Sequence, residues 1–236
     1  MRYLIVNADD LGLTSGINRG IGEAHEHGIV TSASLMVDET ASEEAAHVCA
    51  GLPELSVGLH VKITDEQARP VIDLRAPAAL SVELERQIER FRALVGREPA
   101  HLDSHHNIHF LPNAAPSFAE AAEARDLMLR GSGQSRYFPS FYGQWDGQTH
   151  LEQISVEALL AMIESEAGEG CTEFGCHPGY VDPTLASTYS AEREIELRTL
   201  CDPLVRARID ELGVKLVSST AAGRLLATVD ERRASR

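Results

Sequence analysis

Short apolar runs alternate with amphipathic segments along most of the chain. Each run is bounded by polar residues or glycine, a pattern that predicts buried β-strands. The runs are YLIVN from Tyr3, SASLMV from Ser32, LSVGL from Leu55, AHL from Ala100, DLMLR from Asp126, TEFGC from Thr172 and VKLVS from Val214. The pattern therefore predicts about seven strands.

The segments between these runs have helical periodicity. Helices are predicted over residues 16–27, about 40–49, 81–95, 116–125, 155–167, 192–201 and 204–212. Strict alternation of strands and helices implies parallel strands with right-handed crossovers. We therefore predict an α/β fold, an irregular (β/α) barrel of about seven parallel strands. Residues 1–228 would form a single domain, followed by a frayed polar tail over 229–236.

Polar residues at the predicted helix ends suggest how some helices begin and end. The first would start with Ser15 or Thr14 as its N-cap and end at Gly28 as the C′ residue. Thr40 and Glu43 have the spacing of a capping box for the second helix.

Composition and charge exclude several classes of protein. The 236 residues are 43% hydrophobic and 24% charged, as in an ordinary globular protein. The net charge of −15 argues against a nucleic-acid-binding surface. Met1 and Arg2 lead directly into a strand without a signal peptide, and no apolar run is long enough to span a membrane. We therefore expect a cytoplasmic protein.

The four cysteines show no metal-binding or redox spacing, because they form no CxxC pair. We expect ordinary thiols in or near the core. They are Cys49, Cys171, Cys176 and Cys201.

Acids and histidines follow four of the predicted strands. Because chemistry collects at the carboxyl ends of parallel strands, these side chains should converge on one mouth. They are Asp9 and Asp10 in VNADD, His60 in VGLH, Asp103, His105 and His106 in HLDSHHNIH, and His177 in CHPGY. One carboxylate and two neutral imidazoles suit zinc, cobalt, nickel or manganese, and Asp10, His60 and His105 would make such a site.

Two long segments interrupt the pattern of short connections, over residues 62–80 and 131–150. Long loops at the active face usually shape a pocket. The second contains the aromatic residues Tyr137, Phe138, Phe141, Tyr142 and Trp145. Two interpretations are equally good: these rings stack on a sugar, or they fasten a long loop to the barrel.

The motifs together resemble those of the YdjC-like carbohydrate deacetylases, the family that includes chitooligosaccharide deacetylases. The matching segments are VNADDLGLTSGINRGIGEAHEHGIVTSASLMV, VGLHV, HLDSHHNIH, CHPGY and YSAEREIELRTLCDP, in order along nearly the whole chain. The resemblance implies a barrel-like fold related to the NodB-type polysaccharide deacetylases. It also implies an enzyme that hydrolyses acetamido groups on sugars with a divalent metal.

The resemblance implies a role for five residues. Asp10, His60 and His105 would bind one divalent ion, which is Zn, Mg, Co, Ni or Mn. The metal would lower the pKa of a bound water and polarise the acetyl carbonyl. The resemblance also implies that Asp9 accepts the proton of that water and that His177 faces the site, where we expect it to protonate the departing amine.

Three further residues have less defined roles. Asp103 would orient a metal-binding histidine or, equally well, only cap a turn. Where relatives often have the pattern HxH, this chain has HHN, so the roles of His106 and His109 remain open.

Two other functions are alternatives to a deacetylase. A metal hydrolase for phosphate esters would carry arginine or lysine near the mouth, and the strand-end clusters contain neither. A non-enzymatic sugar-binding or regulatory protein would tolerate loss of Asp9 or His177, yet both are present. The expected partner is a small N-acetylated sugar, with no nucleic acid and no membrane span, and a homodimer is left open.

Overall fold

The computed structural model describes residues 1–185 and 187–234, with side chains described up to residue 226. The strands in these ranges are β1 (Arg2–Leu11), β2 (Ser32–Leu35), β3 (Ser56–Val61), β4 (His101–Ser104), β5 (Met128–Leu129), β6 (Arg136–Phe138), β7 (Gln144–Trp145), β8 (Gln148–Thr149), β9 (Gly170–Cys176) and β10 (Val214–Leu216). The helices are α1 (Ser15–Glu26), α2 (Ser42–Gly51), α3 (Pro77–Val95), α4 (Ala115–Glu123), α5 (Val156–Glu166), α6 (Ala191–Leu200), α7 (Pro203–Glu211) and α8 (Ser219–Ala234). Short 3-10 helices cover His105–Phe110 and Leu151–Ile154.

One parallel sheet forms the centre of the fold. Its strands are hydrogen-bonded in the order β5-β4-β3-β2-β1-β9-β6. Because β9 pairs along Arg2–Ala8 of β1, β10 shares the other edge of β1 with β2. This topology confirms the predicted α/β fold with about seven parallel strands.

The sheet curls until its two edge strands approach each other. Arg130 directly follows β5, and its Nε donates to Oε1 of Glu173 on β9 at 2.7 Å. Its guanidinium carbon lies 4.8 Å from the ring centre of Tyr137 on β6. Among the described residues β5 and β6 are not paired, so the barrel is irregular and open between them.

The helices pack their apolar faces on this sheet. In α3, Leu84, Ile88 and Phe91 are buried, as their spacing predicts. This helix begins at Pro77, four residues before the predicted start, because proline is well tolerated in the first turn. It ends at Gly96, which has a left-handed φ of 77°.

The ends of α1 confirm one prediction and correct another. Thr14 is the N-cap, and its side chain accepts a hydrogen bond from the amide of Ile17 at 3.3 Å. Gly28 does not have the left-handed conformation of a C′ glycine. A Cβ at this position would lie 2.6 Å from the carbonyl oxygens of Ala24 and Leu200, so glycine is required by close packing of the backbone.

The predicted capping box of Thr40 and Glu43 is wrong. Helix α2 begins at Ser42 and has no side-chain cap. The hydroxyl of Ser42 instead accepts a hydrogen bond from the amide of Glu39 at 2.9 Å, which closes the turn before the helix.

The segment 131–150, predicted as a long loop, contains three short strands. β6 joins the main sheet beside β9, and β7 pairs with β8 as a small hairpin. Phe138 and Phe141 are buried against Phe174, so these two aromatic rings fasten the segment to the barrel. Trp145 is 41% exposed and lies on the hairpin.

No helix in the described part of the chain is long and apolar enough to cross a membrane. All four cysteines are free thiols, as predicted. The predicted tail over 229–236 overlaps the end of α8; its side chains and the whole of residues 235–236 lie outside the described residues.

Candidate active site

A β-bulge near the end of β1 directs two neighbouring carboxylates into the same cleft. Successive residues of a regular strand point to opposite faces, and a bulge changes these directions. The register of β1 with β2 shifts between Ala8 and Leu11, and Asp10 has a φ of 68°. Asp9 and Asp10 therefore both line the cleft at the mouth of the sheet.

Asp10, His60 and His105 meet in this cleft. Oδ1 of Asp10 lies 3.2 Å from Nδ1 of His105 and 3.5 Å from Nε2 of His60. This oxygen is buried and has no hydrogen-bond partner among the described residues. The three ligand atoms lie within 4.8 Å of one another. A buried carboxylate oxygen that faces two imidazole nitrogens without hydrogen-bond geometry fits a divalent cation.

Asp103 holds His60 through the other nitrogen of its ring. Oδ1 of Asp103 lies 2.7 Å from Nδ1 of His60, which turns Nε2 towards Asp10. Burial alone would lower the pKa of His60, but the carboxylates of Asp103 and Asp9 outweigh it and raise this pKa to about 10. The site thus stabilises a positive charge, and Asp103 lies where a residue that orients a metal-binding histidine is expected.

Asp9 lies beside this set and is held by its own partners. Arg130 donates from Nη1 to Oδ2 of Asp9 at 2.8 Å and from Nη2 to Oδ1 at 2.7 Å. Asn7 donates to Oδ1 at 2.8 Å. Burial alone would raise the pKa of Asp9, but Arg130 and His60 outweigh it and lower this pKa. Asp9 is therefore ionised and fixed in place at neutral pH.

Arg130 is the centre of a buried cluster of charges. Besides Asp9 it contacts Oδ2 of Asp103 and Oε1 of Glu173, each at 2.7 Å. The expectation that the strand-end clusters lack arginine is wrong, because Arg130 directly follows β5. Arg130 is the last residue of the run DLMLR, but one arginine at the end of a short run is only a weak signal in the sequence.

A second arginine, Arg193 of α6, also reaches the cleft. It donates from Nη2 to Oδ2 of Asp10 at 2.6 Å, so only Oδ1 of this carboxylate faces the two histidines. Arg130 and Arg193 are both paired with buried carboxylates. Each guanidinium is thus at least partly neutralised by a carboxylate, whereas Nη1 of Arg193 has no hydrogen-bond partner among the described residues.

His177 directly follows β9 and lines the same cleft. Its Nδ1 lies 3.9 Å from Oε1 of Glu196, which also accepts a hydrogen bond from the hydroxyl of Tyr189. Burial lowers the pKa of His177 to about 4 and raises that of Glu196 to about 8. These two shifts favour a neutral imidazole beside a protonated carboxyl group, and Nδ1 of His177 has no hydrogen-bond partner among the described residues.

The two histidines whose roles were open have different environments. His106 lines the cleft, with its ring centre 3.8 Å from that of His105 and its Nδ1 2.8 Å from the hydroxyl of Thr64. His109 is buried, and its Nδ1 lies 2.7 Å from the hydroxyl of Ser104. His106 thus belongs to the cleft wall, whereas His109 belongs to the core.

The cleft has a volume of about 490 Å³, which is enough for a small organic molecule. Both long segments contribute to its walls, as expected of connections at the active face. Their residues in the cleft are Glu66, Ala68, Tyr137, Pro139, Phe141 and Tyr142.

The fold and the cleft define an α/β protein with a candidate hydrolase site at the carboxyl end of a parallel sheet. The sequence matches the family model of YdjC-like proteins over residues 3–211. The chain belongs to the YdjC-like family, which confirms the resemblance of its motifs.

Two relatives are similar along almost the whole chain. The carbohydrate deacetylase of Geobacillus stearothermophilus is 38% identical, over 92% of this chain and 96% of the relative. The chitooligosaccharide deacetylase of Citrobacter koseri is 34% identical, over 92% of this chain and 98% of the relative.

Solved structures share the fold. A protein of Enterococcus faecalis, named as a candidate cellobiose-phosphate cleavage protein, has a TM-score of 0.81 at 27% identity, over 92% of this chain and 97% of that chain. A family 4 acetyl xylan esterase of Clostridium thermocellum, solved with a cobalt ion, has a TM-score of 0.57 at 12% identity, over 95% and 91%. The second likeness concerns the fold alone and agrees with the predicted irregular barrel.

Proposed function

We propose that this protein is a metal-dependent carbohydrate deacetylase that removes the acetyl group from a small N-acetylated sugar or oligosaccharide. One observation carries the proposal: the buried set of Asp10, His60 and His105 shares a cleft with Asp9 and His177. The relatives named carbohydrate deacetylase and chitooligosaccharide deacetylase support the choice of substrate class.

Asp10, His60 and His105 would hold one divalent ion. Two imidazoles favour Zn, Co, Ni or Mn over Mg, which prefers oxygen ligands. Such an ion, when bound, lowers the pKa of a coordinated water and polarises a carbonyl group. Arg193 occupies Oδ2 of Asp10, so this carboxylate would bind through Oδ1 alone.

Asp9 would accept the proton of the attacking water. Its lowered pKa keeps it ionised at neutral pH. Arg130 and Asn7 fix both carboxylate oxygens, so the base needs no reorganisation during the reaction.

His177 would protonate the departing amine, because an amine leaves poorly as an anion. Neutral His177 needs a proton for this step, and Glu196, whose pKa is raised, is the group that would supply it. The 3.9 Å between Nδ1 of His177 and Oε1 of Glu196 would have to shorten to hydrogen-bond distance for that transfer. Tyr189 donates to the same carboxyl oxygen of Glu196 and keeps it in position.

Release of acetate from a panel of N-acetylated sugars tests the proposed function. We expect turnover after loading with one equivalent of Zn, Co, Ni or Mn, and loss of turnover after chelation, because the base and the acid remain but the ion is removed. Acetate release that chelation does not change would contradict metal dependence. If no N-acetylated sugar released acetate with any of these metals, the assignment as a deacetylase would be wrong.

A substitution at His177 tests the proposed acid. His177→Ala should lower turnover of an N-acetyl sugar by about 10²-fold. The loss should be far smaller for an activated acetyl ester such as 4-nitrophenyl acetate, whose leaving group needs no proton. His150→Ala is the control, because His150 lies outside the cleft and pairs with the exposed Glu152. Equal losses on the amide and the ester would show that His177 only positions the site.

A further inference from the structure

A second cleft adjoins the candidate active site. It has a volume of about 410 Å³ and lies next to the opening between β5 and β6. Its lining residues are Phe110, Gly131, Gly133, Ser135, Arg136 and Tyr137. Tyr137 also lines the cleft that contains Asp9 and Asp10, which is called the catalytic cleft below. The two clefts therefore have Tyr137 in common.

Two residues that line the second cleft are close in sequence to residues of the candidate active site. Phe110 ends the 3-10 helix that begins at His105. Gly131 follows Arg130, which holds Asp9. Tyr137, which lines both clefts, is the point at which a ligand in the candidate active site would have to pass into the second cleft.

Phe110 is an exposed aromatic ring that is held firmly. It remains 45% exposed, although its ring centre lies 5.9 Å from that of Tyr137 and 4.1 Å from that of His109. Gly131 leaves room for the ring: its φ is 69°, and a Cβ there would lie 2.5 Å from Cε1 of Phe110. A ring that is exposed beside a cleft and already held in position can offer its apolar face to a ligand with little further ordering of the side chain.

The chemistry of the lining suits an uncharged sugar. The residues of the second cleft include no carboxylate, whereas Asp9, Asp10 and Glu66 line the catalytic cleft. An aromatic ring binds the C–H face of a pyranose, and the exposed side chain of Arg136 offers hydrogen-bond donors to hydroxyl groups. The cleft thus combines one apolar surface with a few polar groups, as small-molecule sites commonly do.

We propose that the second cleft binds the neighbouring sugar unit of an N-acetylated oligosaccharide whose reacting acetamido group lies in the catalytic cleft. This inference rests on the proposed function and makes it more specific. The enzyme would be adapted to oligosaccharides, with Phe110 as the residue that distinguishes them from a monosaccharide.

The dependence of kcat/KM on chain length tests this proposal. The substrates are N-acetylglucosamine, diacetylchitobiose and triacetylchitotriose, with metal-loaded wild type, Phe110→Ala and Trp145→Ala. Wild type should prefer the oligosaccharides. Phe110→Ala should lose about tenfold on them, the usual scale for one aromatic contact with its buried area, and should change little on the monosaccharide. Trp145 is the matched control, because it is 41% exposed but lies outside both clefts.

Three results would overturn the proposed role of the second cleft without affecting the assignment as a deacetylase. The first is an equal kcat/KM of wild type on all three substrates. The second is an equal loss of kcat/KM in Phe110→Ala on all three. The third is a loss of kcat/KM on the oligosaccharides that is larger in Trp145→Ala than in Phe110→Ala. If no substrate releases acetate, the proposed function fails, and calorimetric binding of triacetylchitotriose decides the inference. Weaker binding to Phe110→Ala than to wild type would support it, and equal or undetectable binding would overturn it.

Discussion

Replacing Asp9 with asparagine is expected to lower turnover of an N-acetyl sugar by about 10²-fold or more and to leave the metal content unchanged. Asparagine has the same shape, but its amide does not accept a proton at neutral pH. The set of Asp10, His60 and His105 stays complete in this variant. Elemental analysis and kcat, measured on the same preparation, test the two parts of this expectation.

Asp10→Asn is the matched control, because Asp10 is the adjacent residue, is equally buried and receives the same isosteric change. It should lose metal affinity together with turnover, since Oδ1 of Asp10 is the carboxylate oxygen of the set. If Asp9→Asn lost the metal while Asp10→Asn kept it, the roles of the two residues would be exchanged. Full turnover in Asp9→Asn would exclude it as the base.

The strand-end residues were predictable from the sequence because two local patterns coincide there. A buried apolar run predicts a strand, and the first polar residue after it is placed at the mouth by the topology of parallel sheets. This reasoning places Asp9, Asp10, His60, His105 and His177 together without any tertiary information. The sequence left two roles open for Asp103. Only the structure shows the contact of this residue with Nδ1 of His60.

The bulge in β1 could not be predicted, because the residues ADD have no local signal for a shift in register. The charged residues of α6 were missed for a related reason. Charged residues on a helix normally indicate a face that is exposed to solvent. The sequence therefore predicts exposure of Glu192, Arg193 and Glu196. They are buried because α6 packs over the mouth, where Arg193 pairs with Asp10 and Glu196 faces His177.

Arg130 was missed because its strand, β5, has only two residues and offers a weak pattern. Its partners come from three other strands: Asp9 from β1, Asp103 from β4 and Glu173 from β9. No local pattern reveals a cluster assembled from such distant positions. The effect of Arg130 on stability should nevertheless be among the largest in the molecule.

Arg130→Met is expected to lower the free energy of unfolding by about 3–5 kcal/mol, because it removes the cation shared by three buried carboxylates. For a chain of this length the loss corresponds to a decrease in Tm of about 10 °C. Arg86→Met is the matched control. Arg86 also pairs with two carboxylates, Asp38 and Glu83, but its side chain is 49% exposed, so the expected loss is below about 1 kcal/mol.

The pH dependence distinguishes lost charge pairing from lost packing at Arg130. In the wild type, the pKa values of Asp9 and Asp103 lie below their ordinary range, with Arg130 opposing the effect of burial. Of the described residues, His60 is the one cation that remains beside both carboxylates in the folded variant, so we expect burial to raise their pKa values above those of the unfolded chain. The folded variant then binds more protons than the unfolded variant, so its stability rises as the pH falls. The difference in Tm between metal-free wild type and metal-free variant should therefore become smaller as the pH is lowered from 8 to 5.5. If this difference stayed constant, the loss of stability in Arg130→Met would be due to lost packing alone.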